Sequence, residues 1–178
     1  IMAIDKIQSE SINLADNFDF TGSVSGAGGD NKPYFFTSKT SSQSASDDIV
    51  VKVTFPASTF HSSSSVFDHA NNKFTVTSAG VYQLNAKATF YNADRLWGVE
   101  LRIYKNGSEL SNSRFLDRQD DNQDLFRQMT LYEDVVVNAS VNDYFEIYAY
   151  ANTESGDAWQ LSGSSNFQTT FSAYKIIT

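Results

Sequence analysis

From Val81 to Tyr91 the chain alternates strictly: Tyr82, Leu84, Ala86, Ala88 and Phe90 fall on one parity, and Gln83, Asn85, Lys87 and Thr89 on the other. A helix would scatter these residues around its axis, whereas a β-strand gathers them on one buried face. Trp97, Val99, Leu101 and Ile103 repeat the pattern against Gly98, Glu100, Arg102 and Tyr104, and are expected to share a second inner face. Lys105-Asn106-Gly107-Ser108 then reads as a tight hairpin turn, because Asn-Gly tolerates the positive φ such a turn requires.

Met129, Leu131, Val135 and Val137 mark a further strand ending near Asn138-Ala139-Ser140. Val141-Asn142-Asp143 leads into Tyr144–Tyr150, where Phe145, Ile147 and Ala149 oppose Tyr144, Glu146, Tyr148 and Tyr150. Tyr34 to Thr37 and Ile49 to Phe55 are shorter strand signals, and residues 166–177 form a closing strand of mixed parity whose inner face is not assigned. No window of a dozen residues shows a 3.6-residue period. Ser, Thr and Asn make up 51 of the 178 residues and only 19% are charged, a composition suited to short strands and polar turns. The serine-rich stretches 38–48 and 61–65 read as solvated loops. The expectation is an all-β sandwich of about eight to ten strands.

Cysteine is absent, which excludes disulfide scaffolds, thiolate metal sites and thiol nucleophiles. A net charge of −8 and a pI near 4.6 leave no basic patch for phosphates, so nucleic acid is not an expected partner. No apolar run reaches the length of a membrane-spanning helix, and no membrane partner is expected. The first residues lack the basic-then-apolar layout of a secretory signal. Met2 is read as the native start, with synthesis without a signal peptide. The sequons at Asn106 and Asn138 carry little weight without such a signal.

Chemistry-bearing constellations are sparse. His61 and His69 flank serines and Asp68, but no nucleophile elbow accompanies them, so they read as loop residues rather than a catalytic or metal pair. Asp117, Asp120, Asp121 and Asp124 are candidate cation ligands by residue type. Their stretch has no turn-forming glycine and contains Arg118, unlike a calcium loop, and reads as a solubilising loop. No cofactor motif occurs. The remaining candidates are aromatic: Tyr91, Trp97, Tyr104, Trp159 and the Tyr144, Tyr148, Tyr150 face. Trp97 and Trp159 are the candidates for stacking on a ligand, and the three tyrosines are the candidates for a subunit contact.

Residues 1–29 differ from the rest. Ile7, Ile12, Leu14, Phe18 and Phe20 are spread among polar residues, and Gly22 to Gly29 form a flexible Gly/Ser joint. Isolated apolar residues on such a segment require burial elsewhere, so 1–29 is read as an attachment arm and 30–178 as the globular domain.

Four stretches in this second part resemble a known family. Lys73-Phe74-Thr75-Val76-Thr77-Ser78-Ala79-Gly80-Val81-Tyr82-Gln83-Leu84 is similar to the F-T-V-P-x-x-G-V-Y-x-F signature of the C1q/TNF-like jelly roll. Val99 to Gly107 resembles its strand ending in Y-K-N-G, and Val136 to Tyr148 its strand pair around Gly-Asp, with Asn142-Asp143 here. Phe167 to Ile177 resembles its closing F-S-G-F-L-L strand. The likeness runs from Pro33 to Ile177 in the family's order; Thr77, Asn142 and Ala173 depart from it. It implies a jelly-roll β-sandwich, a non-enzymatic homotrimer and binding of proteins or glycans through outer loops, and no residue here matches the calcium site some members hold.

The segment Ile7 to Val24 is similar to N-termini of bacteriophage virion proteins, which implies attachment to other virion proteins through Ile7, Ile12, Leu14, Phe18 and Phe20. The reading that follows is a non-enzymatic, trimeric virion component: a receptor-binding fibre or spike tip, or a capsid decoration protein. It would assemble in host cytoplasm and contact a host glycan or surface protein through loops 38–48, 61–65 and 117–124. The alternative is a secreted bacterial adhesin or carbohydrate-binding module.

Overall fold

The computed structural model describes residues 31–63, 65–116, 126–163 and 168–176. The arm candidates Ile7, Ile12, Leu14, Phe18 and Phe20, and the acidic candidates Asp117, Asp120, Asp121 and Asp124, lie outside the described residues. Among the latter there is no helix. Thirteen strands follow one another: β1 (Tyr34–Ser38), β2 (Gln43–Ala45), β3 (Val51–Lys52), β4 (Ala57–His61), β5 (Phe67–Asp68), β6 (Lys73–Thr75), β7 (Gly80–Tyr91), β8 (Leu96–Lys105), β9 (Ser108–Leu116), β10 (Gln128–Ala139), β11 (Tyr144–Thr153), β12 (Trp159–Leu161) and β13 (Thr170–Lys175). Eight have five or more residues and five have only two or three.

The strand read most clearly from sequence is the axis of the larger sheet. β7 pairs along its whole length with β10, from Gly80 opposite Ala139 to Tyr91 opposite Gln128. Its other side takes β13 at residues 82–87 and β12 at residues 90–91. β1 and then β4 extend the sheet beyond β13, and β2 flanks β12. The second sheet runs β5-β6-β11-β8-β9, with β3 on β11. On the side where β9 and β10 meet, the Ser113 hydroxyl reaches the Tyr132 carbonyl and the Glu133 carboxylate and ties the sheets together.

The expected inner face of β7 is buried throughout: Tyr82, Leu84, Ala88 and Phe90 are fully enclosed, and Ala86 nearly so. Val99, Leu101 and Ile103 of β8 and Phe145, Ile147 and Ala149 of β11 face them. At one end Phe35 stands with its ring centroid 5.0 Å from each of Phe67, Phe74 and Phe171. Such aromatic groups contribute about 0.5–1.5 kcal/mol per pair beyond their burial. The unassigned closing strand resolves as β13, with Phe171 and Ala173 inward and Tyr174 outward.

Two expectations are corrected. Only Val51–Lys52 of the stretch Ile49 to Phe55 is a strand, because Asp48 adopts a positive φ of 59° and turns the chain, leaving Ile49 and Val50 exposed. Trp97 does not share the face of Val99, Leu101 and Ile103. Leu96 lies opposite Thr153 and Gly98 opposite Asn152, so Trp97 is the extra residue of a β-bulge. A bulge breaks the two-residue period locally and turns its residue out of the ladder.

The Asn-Gly turn forms as expected, with φ of 53° at Asn106 and 79° at Gly107, values that suit Gly107 having no Cβ. It is locked to the next turn by Asp143, which accepts from Asn106 Nδ2 at 2.8 Å, Ser140 N at 2.8 Å and Lys105 Nζ at 2.8 Å. The hydrogen bond from Lys105, then those from Asn106 and Ser140, hold the Asp143 carboxyl down at about 2, below its ordinary 3.8. A carboxyl depressed in the folded state stabilises fully above its unfolded value and loses that contribution as pH falls towards the folded one. Asp143→Asn is therefore expected to lower the urea midpoint at pH 7 and to flatten its decline between about pH 4 and pH 2; equal slopes in variant and wild type would contradict this.

Candidate interaction surfaces

Residues directly opposite each other in an antiparallel sheet share a face, so the strand register defines what the outer side of the seven-stranded sheet presents. One cross-strand row runs Val136, Gln83, Tyr174, Tyr34. The next runs Asp134, Asn85, Ser172, Phe36, Phe60. A third begins Tyr132, Lys87, Thr170. Phe60, Tyr132 and Val136 are 64%, 62% and 57% exposed, values at which large apolar side chains remain largely unburied within the chain. Tyr34 and Phe60 stack with centroids 5.4 Å apart, and with Tyr174 and Asn31 they line a depression of about 390 Å³. The charged members of these rows are Lys87 and Asp134, and the Lys87 ammonium lies 5.7 Å from the Tyr132 ring centre.

The opposite outer face holds Tyr144, Tyr148 and Tyr150, and its chemistry differs. Each ring has a cation nearby: Lys73 at 5.0 Å from Tyr144, Lys52 at 5.9 Å from Tyr148 and Arg102 at 5.9 Å from Tyr150. Tyr104 packs against Tyr148 with centroids 4.3 Å apart. Lys52 pairs with Glu146 at 2.6 Å. Glu100 is shared by Arg102 and by Arg114, the latter at 3.1 Å, and Arg102 also meets Glu109 at 3.4 Å. The Tyr150 hydroxyl donates to Asp48, and that bond, reinforced by burial, pushes the phenol up to about 12. The three tyrosines are all half-buried under a network of ion pairs that spans the sheet.

The two tryptophans part company. Trp97 is 42% exposed at its bulge, close in chain pairing to exposed Leu116, which lies opposite Gly98. Trp159 is completely buried, and its candidacy as an exposed stacking residue is corrected. Pairing of β12 with β2 and β7 turns Trp159 and Leu161 inward and Gln160 outward. The indole packs 5.7 Å from the Phe90 ring and donates from Nε1 to Ser46 O at 2.9 Å. The alternation Trp159-Gln160-Leu161 was the signal, too short to read by itself.

His61 and His69 fall on different elements. His61 lies on β4 opposite Phe35. His69 bonds through Nδ1 to the Phe55 carbonyl at 2.9 Å and packs 5.0 Å from the Phe67 ring. Asp68 closes the following turn by accepting from Ala70 N and from Asn71 N, both at 3.0 Å, and from Asn71 Nδ2 at 2.6 Å. No group of three or more His, Asp or Glu side chains suited to a metal occurs among the described residues. No helix of the described residues is long and apolar enough to cross a membrane.

No family profile matches the chain. Among curated proteins, a phage-like element PBSX protein, XkdV of Bacillus subtilis strain 168, is 32% identical over 103 residues, 57% of this chain. The chain spans 15% of the length of that relative. The globular domain of the zebrafish complement 1qA protein superimposes with a TM-score of 0.56, covering 82% of this chain and 98% of its own at 14% identity. Murine APRIL at pH 5.0 gives 0.58, covering 81% and 98% at 15% identity.

The contrast between the tryptophans has an optical consequence. Trp97→Phe is expected to leave a blue-shifted emission that iodide barely quenches, and Trp159→Phe a red-shifted, readily quenched one. Similar quenching of both single-tryptophan variants would contradict the placement of Trp159. The chain is thus a C1q/TNF-like jelly roll in fold, and part of it is similar in sequence to a protein of a phage-like element.

Proposed function

We propose that this protein is a non-enzymatic structural or adhesion module of a phage-related particle, working as a homotrimer. The observation that carries this reading is the conjunction of a C1q/TNF-like jelly roll with sequence likeness to a phage-element protein. The arm residues Ile7, Ile12, Leu14, Phe18 and Phe20 would attach the domain to other virion proteins, and the domain would project as a fibre or spike tip, with capsid decoration as the nearest variant. Trp97, exposed on its bulge, is the residue proposed to meet a host glycan or surface protein. That same exposed indole also supports the second reading, a secreted adhesin or carbohydrate-binding module.

The trimer contact is assigned to the outer face of the seven-stranded sheet rather than to Tyr144, Tyr148 and Tyr150. Subunit contacts are rich in aromatic side chains and poor in charge at their centre. The rows through Tyr132, Val136, Tyr174 and Phe60 meet that description, while the tyrosine face is laced with ion pairs that would have to be desolvated. A patch that meets a different patch on the next copy is the kind of contact that a closed ring such as a trimer requires.

Sedimentation is expected to give three times the 19.8 kDa chain mass. A Tyr132→Asp/Tyr174→Asp variant is expected to sediment as a monomer with unchanged far-UV circular dichroism, and Tyr144→Ser to remain trimeric. A wild-type monomer at micromolar concentration, or dissociation caused only by Tyr144→Ser, would overturn the assignment. Binding of the purified trimer to neither host cells nor empty capsids would overturn the particle reading.

A further inference from the structure

Lys39, just after β1, is buried to 2% exposure. A lysine so enclosed ordinarily has an acid beside it, because an isolated ammonium is costly to remove from water. Here Nζ donates to neutral oxygens: Gln43 Oε1 at 3.0 Å, Thr54 O at 2.8 Å and Thr54 Oγ1 at 3.2 Å. Among the described residues no carboxylate lies within ion-pairing distance of it. Burial alone, with no nearby charge, brings its pKa down to about 8.

Lys39 and these oxygens form one wall of a pocket of about 260 Å³ that is also lined by Ser41, Ser42, Phe55, Pro56, His69 and Asn72. The wall offers donors. Ser41 and Ser42 are exposed residues that carry hydroxyls. The Asn72 Oδ1 is taken by the Phe55 N–H at 2.7 Å, so Asn72 has its NH₂ to offer. The rim is set by close backbone approach: a Cβ on Gly163 would stand 2.1 Å from Ser41 O, a distance that no side chain at 163 could satisfy without displacing Ser41.

We infer that this pocket is a binding subsite for a small oxyanion, the carboxylate or sulfate group of an acidic ligand such as an acidic saccharide, with Lys39 as its counter-charge. The longest contact of the ammonium, to the Thr54 hydroxyl, is the one an anion displaces. That hydroxyl keeps its own proton on Gln43 Oε1, at 3.0 Å, and an ammonium–oxyanion bond replaces a weaker neutral one. The chain as a whole is acidic, so binding at this place depends on the local cation and not on a general field. The subsite stands independently of any attachment to a particle, since it concerns the isolated domain.

The test uses the full chain with sodium sulfate and sodium glucuronate, each compared with chloride at equal ionic strength. Calorimetry or chemical-shift titration is expected to give saturable binding with a Kd on the order of 1 mM, as one charged group in a polar pocket supports. Lys39→Met is expected to weaken it roughly tenfold or more. Binding of glucuronate identifies a carboxylate ligand, and binding of sulfate alone identifies a tetrahedral one. Should Lys39→Met fail to fold, the ε-ammonium of wild-type Lys39 followed by NMR decides the matter: its midpoint in chloride, expected below that of an ordinary lysine, must move upward on saturation with the anion. Absence of saturable binding, binding unchanged in Lys39→Met, or an unmoved ammonium midpoint overturns the inference.

Discussion

Burial of one side of β7 is the constraint on which the rest of this molecule depends. Its inward side chains form the floor of the core, and removing one such as Leu84 or Phe90 from water stabilises the fold by about 1.5–3 kcal/mol. The same strand supplies backbone hydrogen bonds to β10 on one side and to β13 and β12 on the other. Shifting β7 by one residue would turn Tyr82, Leu84 and Phe90 outward and Gln83, Asn85 and Lys87 inward, so its register is tightly specified. Once that register is set, the positions of Tyr132, Val136 and Tyr174 on the opposite surface follow.

The sandwich therefore has two outer faces with different physical characters. On the six-stranded sheet, long charged side chains pair across strands and cover the tyrosines, so this surface is satisfied within one chain. On the seven-stranded sheet, aromatic and aliphatic side chains stand exposed around a polar centre of Gln83, Asn85 and Ser172. Burial of surfaces of the second kind is favourable because water leaves them, which is why the proposed self-association is placed there. With no cysteine in the chain, the proposed contacts between copies would also take over the cross-linking that disulfides provide in small secreted domains.

The all-β class, the inner faces of β7, β10 and β11, and the Asn-Gly turn were legible because each rests on a local regularity: period two or a residue tolerant of positive φ. The tyrosine face was legible as a face, but its covering was not. Lys52 is 94 positions before Glu146, and no local pattern brings them together. Trp97 and Trp159 show the same limit from both sides. Both were read as stacking candidates: Trp97 is exposed because it belongs to a bulge defined by its partner strand, and Trp159 is buried in a three-residue strand that exists only because β2 and β7 flank it.

The order of residues by itself determined that this chain makes strands, which side of the longest ones is apolar, and where the tightest turn falls, since those properties depend on neighbours two to four positions away. Only the tertiary structure decided which aromatics are core and which are surface, that the apolar outer face belongs to the sheet of β7, and that Lys39 is enclosed with no acid beside it among the described residues. These depend on pairings between residues tens of positions apart, and a pairing of that kind acquires its energy only when both partners have been brought together and water has been removed from between them.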